Sequence, residues 1–289
     1  MRILVTGRDG QVSRCLADLA DEGREIVCLG RPDLDLTERA SIEAAIAAVR
    51  PDVVVNPAAY TAVDKAESER EAAFAVNATG AETVASAAAT SGIPIVHIST
   101  DYVFAGDKDG PYVETDETGP TGVYGASKLD GEKRVLAVNP KAVVLRTAWV
   151  YGPHGNNFLK TMLRVAKDRD VLRVVADQHG TPTYAPDIAA GILAVCEHVL
   201  AQPEGDWPGI YHMVAEGETT WAGFAEAIFE RSRSRGGPTA SVEAITTADY
   251  PTPARRPANS RLDTQKFQST FRHGLPSWRS GIDRCLAAL

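Results

Sequence analysis

Short apolar runs alternate with longer stretches in which apolar residues return every three or four positions, and the alternation starts at once. Arg2 to Thr6 is a β-branched and leucine run, followed by Gly7 and Gly10 and then by a helical pattern through Leu16, Leu19 and Ala20. The unit repeats. Glu25 to Leu29 reads as a second strand, Thr37 as the N-cap of a helix through Ile42, Ile46 and Val49, and Asp52 to Val55 as a third strand. An alanine-rich helix from about Ser68 to Thr90 leads to a strand at Pro94 to Ile98. A loop rich in Gly, Asp and Pro (Ala105 to Thr121) leads to a helix from Gly125 to Val138 and a strand at Ala142 to Arg146. Uninterrupted apolar strands alternating with helices predict an α/β fold, a doubly wound parallel sheet buried on both faces.

Beyond Tyr151 the rhythm changes. Phe158 to Ala166 reads as a helix, Leu172 to Ala176 as a strand, and Pro186 to Leu200 as a helix that still fits the sheet domain. From Ala201 Pro, Gly and Trp become frequent, around one strand (Ile210 to Val214), one helix (Thr220 to Arg233) and a loop with Pro251, Pro253 and Pro257. The expected division is a nucleotide-binding domain of residues 1–154 plus about 170–200. A small C-terminal α/β substrate domain takes about 155–169 plus 201–289, and the junction would form a cleft.

Composition narrows the function. The 289 residues are 44% hydrophobic and 24% charged, the balance of a globular enzyme rather than a disordered or fibrous chain. Thirty Lys+Arg against 38 Asp+Glu give a formal charge of -8, which recommends neither nucleic acid nor an anionic membrane as a partner. The opening Met1 to Gly7 leaves no room for a signal core of roughly 7 to 15 apolar residues, and no run approaches the ~18 to 20 of a membrane span. A cytoplasmic location is expected. Cys15, Cys28, Cys196 and Cys285 are far apart and show no C-x-x-C pair, so no disulfide framework and no metal site is signalled.

Three motifs carry chemistry. In Thr6-Gly7-Arg8-Asp9-Gly10-Gln11-Val12-Ser13, a glycine turn between strand and helix can present backbone N–H groups to a pyrophosphate; a tight turn with no ligand is the bland alternative. Ser13 takes the place of a third glycine. The next strand ends in Gly30-Arg31 rather than in the acidic residue that selects a ribose 2′-hydroxyl, so a 2′-phosphate would be tolerated with Arg31 as its partner. The second motif, Tyr124-Gly125-Ala126-Ser127-Lys128, puts a phenol and an ammonium one turn apart on a helix face. Lowering a phenol by ~3 units toward neutral pH needs about 4 kcal/mol, which a nearby cation in a dry cleft can supply. The third, His97 to Phe104, ends the fourth strand, where Thr100 can donate to a reacting carbonyl oxygen; His97 itself reads as a packed core histidine.

These motifs, in this order, resemble the extended short-chain dehydrogenase/reductase family, in which a Ser/Thr, a Tyr and a Lys reduce or oxidise a sugar-nucleotide carbonyl with NAD(P). Finer matches lie in Asn56 to Glu67, Ser99 to Phe104, Arg146 to Gly152, Gly155 to Phe158, Asp177 to Thr183 and Arg256 to Leu262. They resemble the branch that makes dTDP-L-rhamnose by reducing the C4 ketone of dTDP-4-dehydro-6-deoxy-L-mannose, the final step of that synthesis. The resemblance runs almost end to end and implies a Rossmann-type fold with NADPH or NADH as cofactor, NADPH slightly favoured. It implies further that Gly10, Gln11 and Val12 face the pyrophosphate, with Gly7 also binding the cofactor, that Asp35 and Leu36 lie by the adenine, and that Ala58, Ala59 and Thr61 line the cofactor groove. Lys128 would grip the nicotinamide ribose and Tyr124 would deliver the proton. Thr100 and Asp101 would hold the sugar and Trp149 would pack on it, with Asn157, Gln178 and Arg256 as further contacts to the dTDP-sugar.

Relatives with other outcomes stay in view. A dehydratase needs Thr-Asp-Glu where this chain has Thr100-Asp101-Tyr102, and without that carboxylate water elimination lacks its base. An epimerase or another sugar-nucleotide reductase uses the same Thr, Tyr and Lys. A non-catalytic NADP-binding regulatory subunit, like that of methionine adenosyltransferase, is the reading from a different class. The chain is expected to act as a monomer or homodimer. Some members dimerise through a metal held by glutamates, and Cys15 and Pro186 stand where two of those would align, so that metal is not carried over.

Overall fold

The computed structural model describes all residues, 1–289. The first half runs β1 (Arg2–Thr6), α1 (Gln11–Ala17), β2 (Glu25–Leu29), α2 (Arg39–Val49), β3 (Val53–Asn56), α3 (Val63–Ala66) and α4 (Arg70–Phe74). A π-helical turn over Ala75–Gly80 then leads into α5 (Ala81–Thr90), β4 (Ile95–Thr100), a 3-10 turn over Asp101–Val103, α6 (Val123–Val138) and β5 (Ala142–Thr147). The second half runs β6 (Val150–Tyr151), α7 (Phe158–Val165), β7 (Val171–Val175), β8 (His179–Gly180), β9 (Thr183–Tyr184), α8 (Ala185–Ala201) and β10 (Gly209–His212). It closes with β11 (Thr219–Thr220), α9 (Trp221–Ser234), β12 (Ser241–Ile245), α10 (Gln265–Phe271) and α11 (Trp278–Ala287).

Six strands form one parallel sheet in the order β2-β1-β3-β4-β5-β10. Because strand side chains alternate, an uninterrupted apolar strand must be covered on both sides. Ile3, Val5, Val55, Ile98 and Leu145 pack with Leu16 of α1 and Ile188 and Ile192 of α8. Leu4, Val54, Ile95 and Val144 turn the other way, onto Ile42 and Ile46 of α2, Val84 of α5 and Val135 of α6. Each such fully buried side chain stabilises the fold by roughly 1.5–3 kcal/mol. The strand order reverses between β1 and β3, and a crevice opens beyond their carboxyl ends at that switch point. A separate core, with Leu159, Leu172, Phe224, Ile228, Trp278 and Ile282, holds together a smaller lobe built on α7, α9 and α11.

The structure departs from the sequence reading in four places. Thr37 does not cap α2: its N–H and hydroxyl both donate to Asp35 Oδ1, and the helix starts after Glu38 with no side-chain cap. The expected single helix from Ser68 to Thr90 begins at Arg70 and is interrupted by the π turn. The strand expected in the sheet domain at Leu172 to Ala176 is β7, which pairs in parallel with β12 instead. Val171 and Arg173 are exposed while Leu172 and Val174 are buried, the pattern of a strand covered on one face only. Conversely, the strand expected in the smaller domain at Ile210 to Val214 is β10, which completes the large sheet beside β5.

Candidate active site

The turn after β1 is shaped by approach. Gly7 sits at φ +84°, and a Cβ there would lie 3.0 Å from that of Ala58, so the β1 and β3 ends close up only around a glycine. Gly10 precedes α1 with no side-chain cap, which leaves the first N–H groups of that helix free for an anion. Ser13 is buried and its hydroxyl donates to Thr6 O at 3.4 Å, so the small side chain fits the place of a third glycine. The turn opens into a cleft of about 940 Å³ that runs past the ends of β1, β3, β4 and β5 to Trp149.

Tyr124 and Lys128 enter the cleft from the first two turns of α6, opposite Thr100 at the end of β4. Lys128 is 2% exposed; its Nζ donates to Ile98 O at 2.7 Å and lies 3.4 Å from His97 Nε2. Burial brings its ammonium down to about 8. Thr100 Oγ1 donates to Asp101 Oδ1 at 2.9 Å, accepts from Tyr102 N at 3.2 Å and also meets the Tyr124 phenol. Burial lifts the Asp101 carboxyl to about 6, against hydrogen bonds with the Ser260 and Thr100 side chains.

The expected lowering of Tyr124 by the lysine is not what the structure has. Burial, then the Asp101 charge, push the phenol well above its ordinary value, while Lys128 is turned onto the β4 backbone. A phenol in this setting keeps its proton, the state a proton donor needs. The helix that carries it is fixed from below. Glu132 on α6 accepts from Arg146 Nε at 3.0 Å and Nη2 at 2.7 Å, and from the Ser99 hydroxyl, all buried.

Comparison with known proteins agrees with this arrangement. A family model described as the RmlD substrate binding domain matches residues 1–289. The dTDP-4-dehydrorhamnose reductase of Sinorhizobium fredii is 48% identical over 289 residues, covering 100% of this chain and 98% of its own. The chain belongs to the dTDP-4-dehydrorhamnose reductase family. The crystal structure of the Bacillus anthracis dTDP-4-dehydrorhamnose reductase in complex with NADP matches the fold with a TM-score of 0.92 at 35% identity, covering 100% of this chain and 99% of that one. The Clostridium acetobutylicum reductase matches with a TM-score of 0.90 at 37% identity over 99% of both chains.

On this reductase-family frame, Gly7, Gly10, Gln11, Val12, Arg31, Asp35, Leu36, Ala58, Ala59 and Thr61 line one end of the cleft, and Thr100, Asp101, Tyr124, Lys128 and Trp149 the other. Asn157, Gln178 and Arg256 do not line it. Asn157 accepts from Lys160 N as the cap of α7 and donates to Gln11 Oε1 at 2.9 Å. Gln178 is 5% exposed and held by Thr247 and Trp221. Arg256 pairs with Asp64 at 2.9 Å and donates to Tyr102 Oη at 3.1 Å, although these contacts leave it beside the cleft mouth.

A cleft residue, Arg8, and a neighbour of the cleft, Trp221, escaped the sequence reading. Arg8 lies beside Arg31, donating to its carbonyl at 2.9 Å, and a Cβ on Gly30 would come within 3.0 Å of Arg8 N. The signal for Arg8 was its place inside the glycine turn. Trp221 stacks on Trp149, 3.7 Å between ring centres and 11° from parallel, and its Nε1 donates to Gln178. Trp149 is held at φ +49°, and Gly180 makes room for it, since a Cβ there would meet the indole at 2.5 Å. No cluster of three or more His, Cys, Asp or Glu comes together, all four cysteines are free, and no helix is long and apolar enough to cross a membrane.

Proposed function

We propose that the chain is an NAD(P)H-dependent reductase that converts dTDP-4-dehydro-6-deoxy-L-mannose to dTDP-L-rhamnose, the final step of dTDP-rhamnose synthesis. The observation that carries this reading is the convergence of Thr100, Tyr124 and Lys128 on the same cleft as the glycine turn, in a chain related end to end to these reductases. A dinucleotide fits the residues present: the turn would be filled by a Cβ at Gly7, and free helix N–H groups face it. The bound cofactor supplies hydride to the ketone carbon. Tyr124 supplies the proton for the oxygen that becomes the 4-hydroxyl, Thr100 orients that oxygen, and Asp101, lining the cleft beside them, holds the sugar. Lys128, mostly charged at neutral pH, binds the ribose hydroxyls beside the reacting centre. Arg8, paired with Asp33 at 3.4 Å, and Arg31 give a 2′-phosphate two cationic neighbours, and β2 ends in Leu29-Gly30 rather than in an acidic residue, which favours NADPH while leaving NADH usable; the Bacillus anthracis relative holds NADP.

The cleft is then the seam between a nucleotide-binding lobe and a sugar-nucleotide-binding lobe. We read the protein as cytoplasmic, a monomer or homodimer, with a dTDP-sugar and no nucleic acid or membrane as partner. Loss of reduced-nicotinamide absorbance with dTDP-4-dehydro-6-deoxy-L-mannose, NADPH and NADH in parallel, tests the proposal. Turnover establishes the reaction and ranks the cofactors. Binding of reduced cofactor without turnover would reject this substrate and lead first to other keto-sugar nucleotides, then to a binding module.

A further inference from the structure

A line of buried polar side chains crosses three strands and ends on the lysine of the site. Thr6 on β1 donates from Oγ1 to Asn56 Oδ1 on β3 at 2.5 Å, Asn56 Nδ2 lies 3.1 Å from His97 Nδ1 on β4, and His97 Nε2 lies 3.4 Å from Lys128 Nζ. Thr6, Asn56 and His97 are each 0% exposed. The directions along this line follow from counting protons. The Thr6 hydroxyl has the Asn56 amide as its one side-chain partner, so its proton is satisfied only if the amide oxygen faces it. The amide nitrogen then faces His97 and donates to Nδ1, which must be the bare nitrogen of the ring. Burial and the neighbouring Lys128 charge keep His97 neutral against the opposing pull of the Asn56 backbone carbonyl, and with Nδ1 taken by the Asn56 amide its one N–H sits on Nε2 and points at Lys128 Nζ.

The geometry points to His97 as a positioning residue for Lys128: its Nε2–H donates to the lone pair of the uncharged amine and opposes the N–H bonds of the ammonium, so the Thr6–Asn56–His97 line eases the release of the lysine proton. This rests on the reading of Lys128 as part of the reacting site and gives that lysine a tuned charge rather than a fixed one. Burial acts in the same direction and outweighs the Glu132 charge, which acts against it, bringing Lys128 to about 8. The other titratable groups around it are accounted for. Tyr124 on the same helix is a neutral phenol, Asp101 beyond β4 faces that phenol, and Glu132 one turn along is tied to Arg146 on β5 and to Ser99. Ile98 O takes one lysine N–H in either state.

The test uses the full-length protein without substrate, so its failure is separate from failure of the turnover assay. ¹⁵N NMR of labelled histidine should show His97 neutral, with a bare Nδ1 and a protonated Nε2, between pH 6 and 9; the opposite tautomer overturns the proposal. ¹³C NMR of labelled lysine should show Lys128 losing its charge near pH 8 in the wild type and about one unit higher in His97→Phe, a roughly tenfold change in its acid constant. A folded His97→Phe with an unmoved midpoint also overturns it. Asn56→Asp covers the case in which that variant does not fold. A carboxylate at 56 accepts from both neighbours, so the His97 proton should move to Nδ1; a ring that keeps its Nε2 proton there means Asn56 does not set the tautomer, which sinks the line.

Discussion

The proton that Tyr124 would deliver is held by two neighbours that act on the phenolate, burial and the Asp101 carboxylate. Tyr124→Phe removes that proton while keeping the ring that meets Tyr102 edge-on at 5.5 Å. Turnover should fall on the order of a hundredfold or more, with the dissociation constant for reduced cofactor unchanged; a near-normal rate would remove Tyr124 from the chemistry. Thr100→Val should cost less, because an orienting bond is lost rather than the donor. Asp101 has a consequence for stability as well. Its folded carboxyl titrates about 6, above its ordinary value near 3.8, so between those limits the folded state holds a proton that the unfolded chain has lost. Stability contributed at this position therefore falls as pH rises through that window, by roughly 3 kcal/mol at most. Asp101→Asn should gain stability relative to wild type between pH 4 and pH 7.5 in urea unfolding; a constant difference at both pH values would show that burial of the charge is not felt. Tyr124, Lys128 and Thr100 were legible in the sequence because their chemistry lies in short spacings. The pairings of Arg256 with Asp64 and of Asn157 with Gln11 span 192 and 146 residues, and no local pattern carries them.

Among the elements, α6 must lie close to its neighbours for its first two turns to reach the cleft, and glycine makes that approach feasible. A Cβ on Gly125 would stand 2.2 Å from Tyr102 O, and one on Gly131 2.0 Å from Asn77 O. Asn77, within the π turn, donates to Tyr60 O and to Ser127 Oγ and accepts from Tyr60 N, which ties the β3 loop to α6. Gly131→Ala forces backbone apart from backbone. It should lose about 1–3 kcal/mol or more in denaturant unfolding and weaken turnover and cofactor binding together, since both Tyr124 and Lys128 ride on that helix. Gly274→Ala, whose Cβ would meet only Gln268 at an ordinary 3.7 Å, should leave both properties near wild type. If Gly131→Ala behaves like Gly274→Ala, the close packing of α6 does not matter. The period of apolar residues revealed α4 and α5 but not the π turn between them, because one extra residue in a turn leaves an alanine-rich pattern nearly unchanged. Asn77, a polar residue inside the alanine-rich run, was the clue available in the sequence.

Across the whole molecule, the parallel sheet was legible from its uninterrupted strands, whereas the partition of the second half was not, because the chain leaves the sheet after β5 and returns to it at β10. The polar links between the lobes include Arg284 with Asp187, His154 with Asp18, Arg256 with Asp64, and Asn157 with Gln11 in the glycine turn. The last of these sets two functions on one side chain, since Asn157 also caps α7 through Lys160 N. They can be separated. Serine is a good N-cap but is too short to reach Gln11, whereas alanine does neither. Asn157→Ala should therefore lose about 1 kcal/mol more stability than Asn157→Ser in denaturant unfolding. Both should weaken binding of reduced cofactor alike, by roughly fivefold for a lost bond of about 1 kcal/mol, because Gln11 is freed in each. Titration of cofactor fluorescence measures this directly. Equal stability losses with wild-type affinity would mean that the second lobe does not steady the glycine turn. Affinity lost only in the alanine variant would mean that the helix cap, rather than the link to Gln11, supports binding.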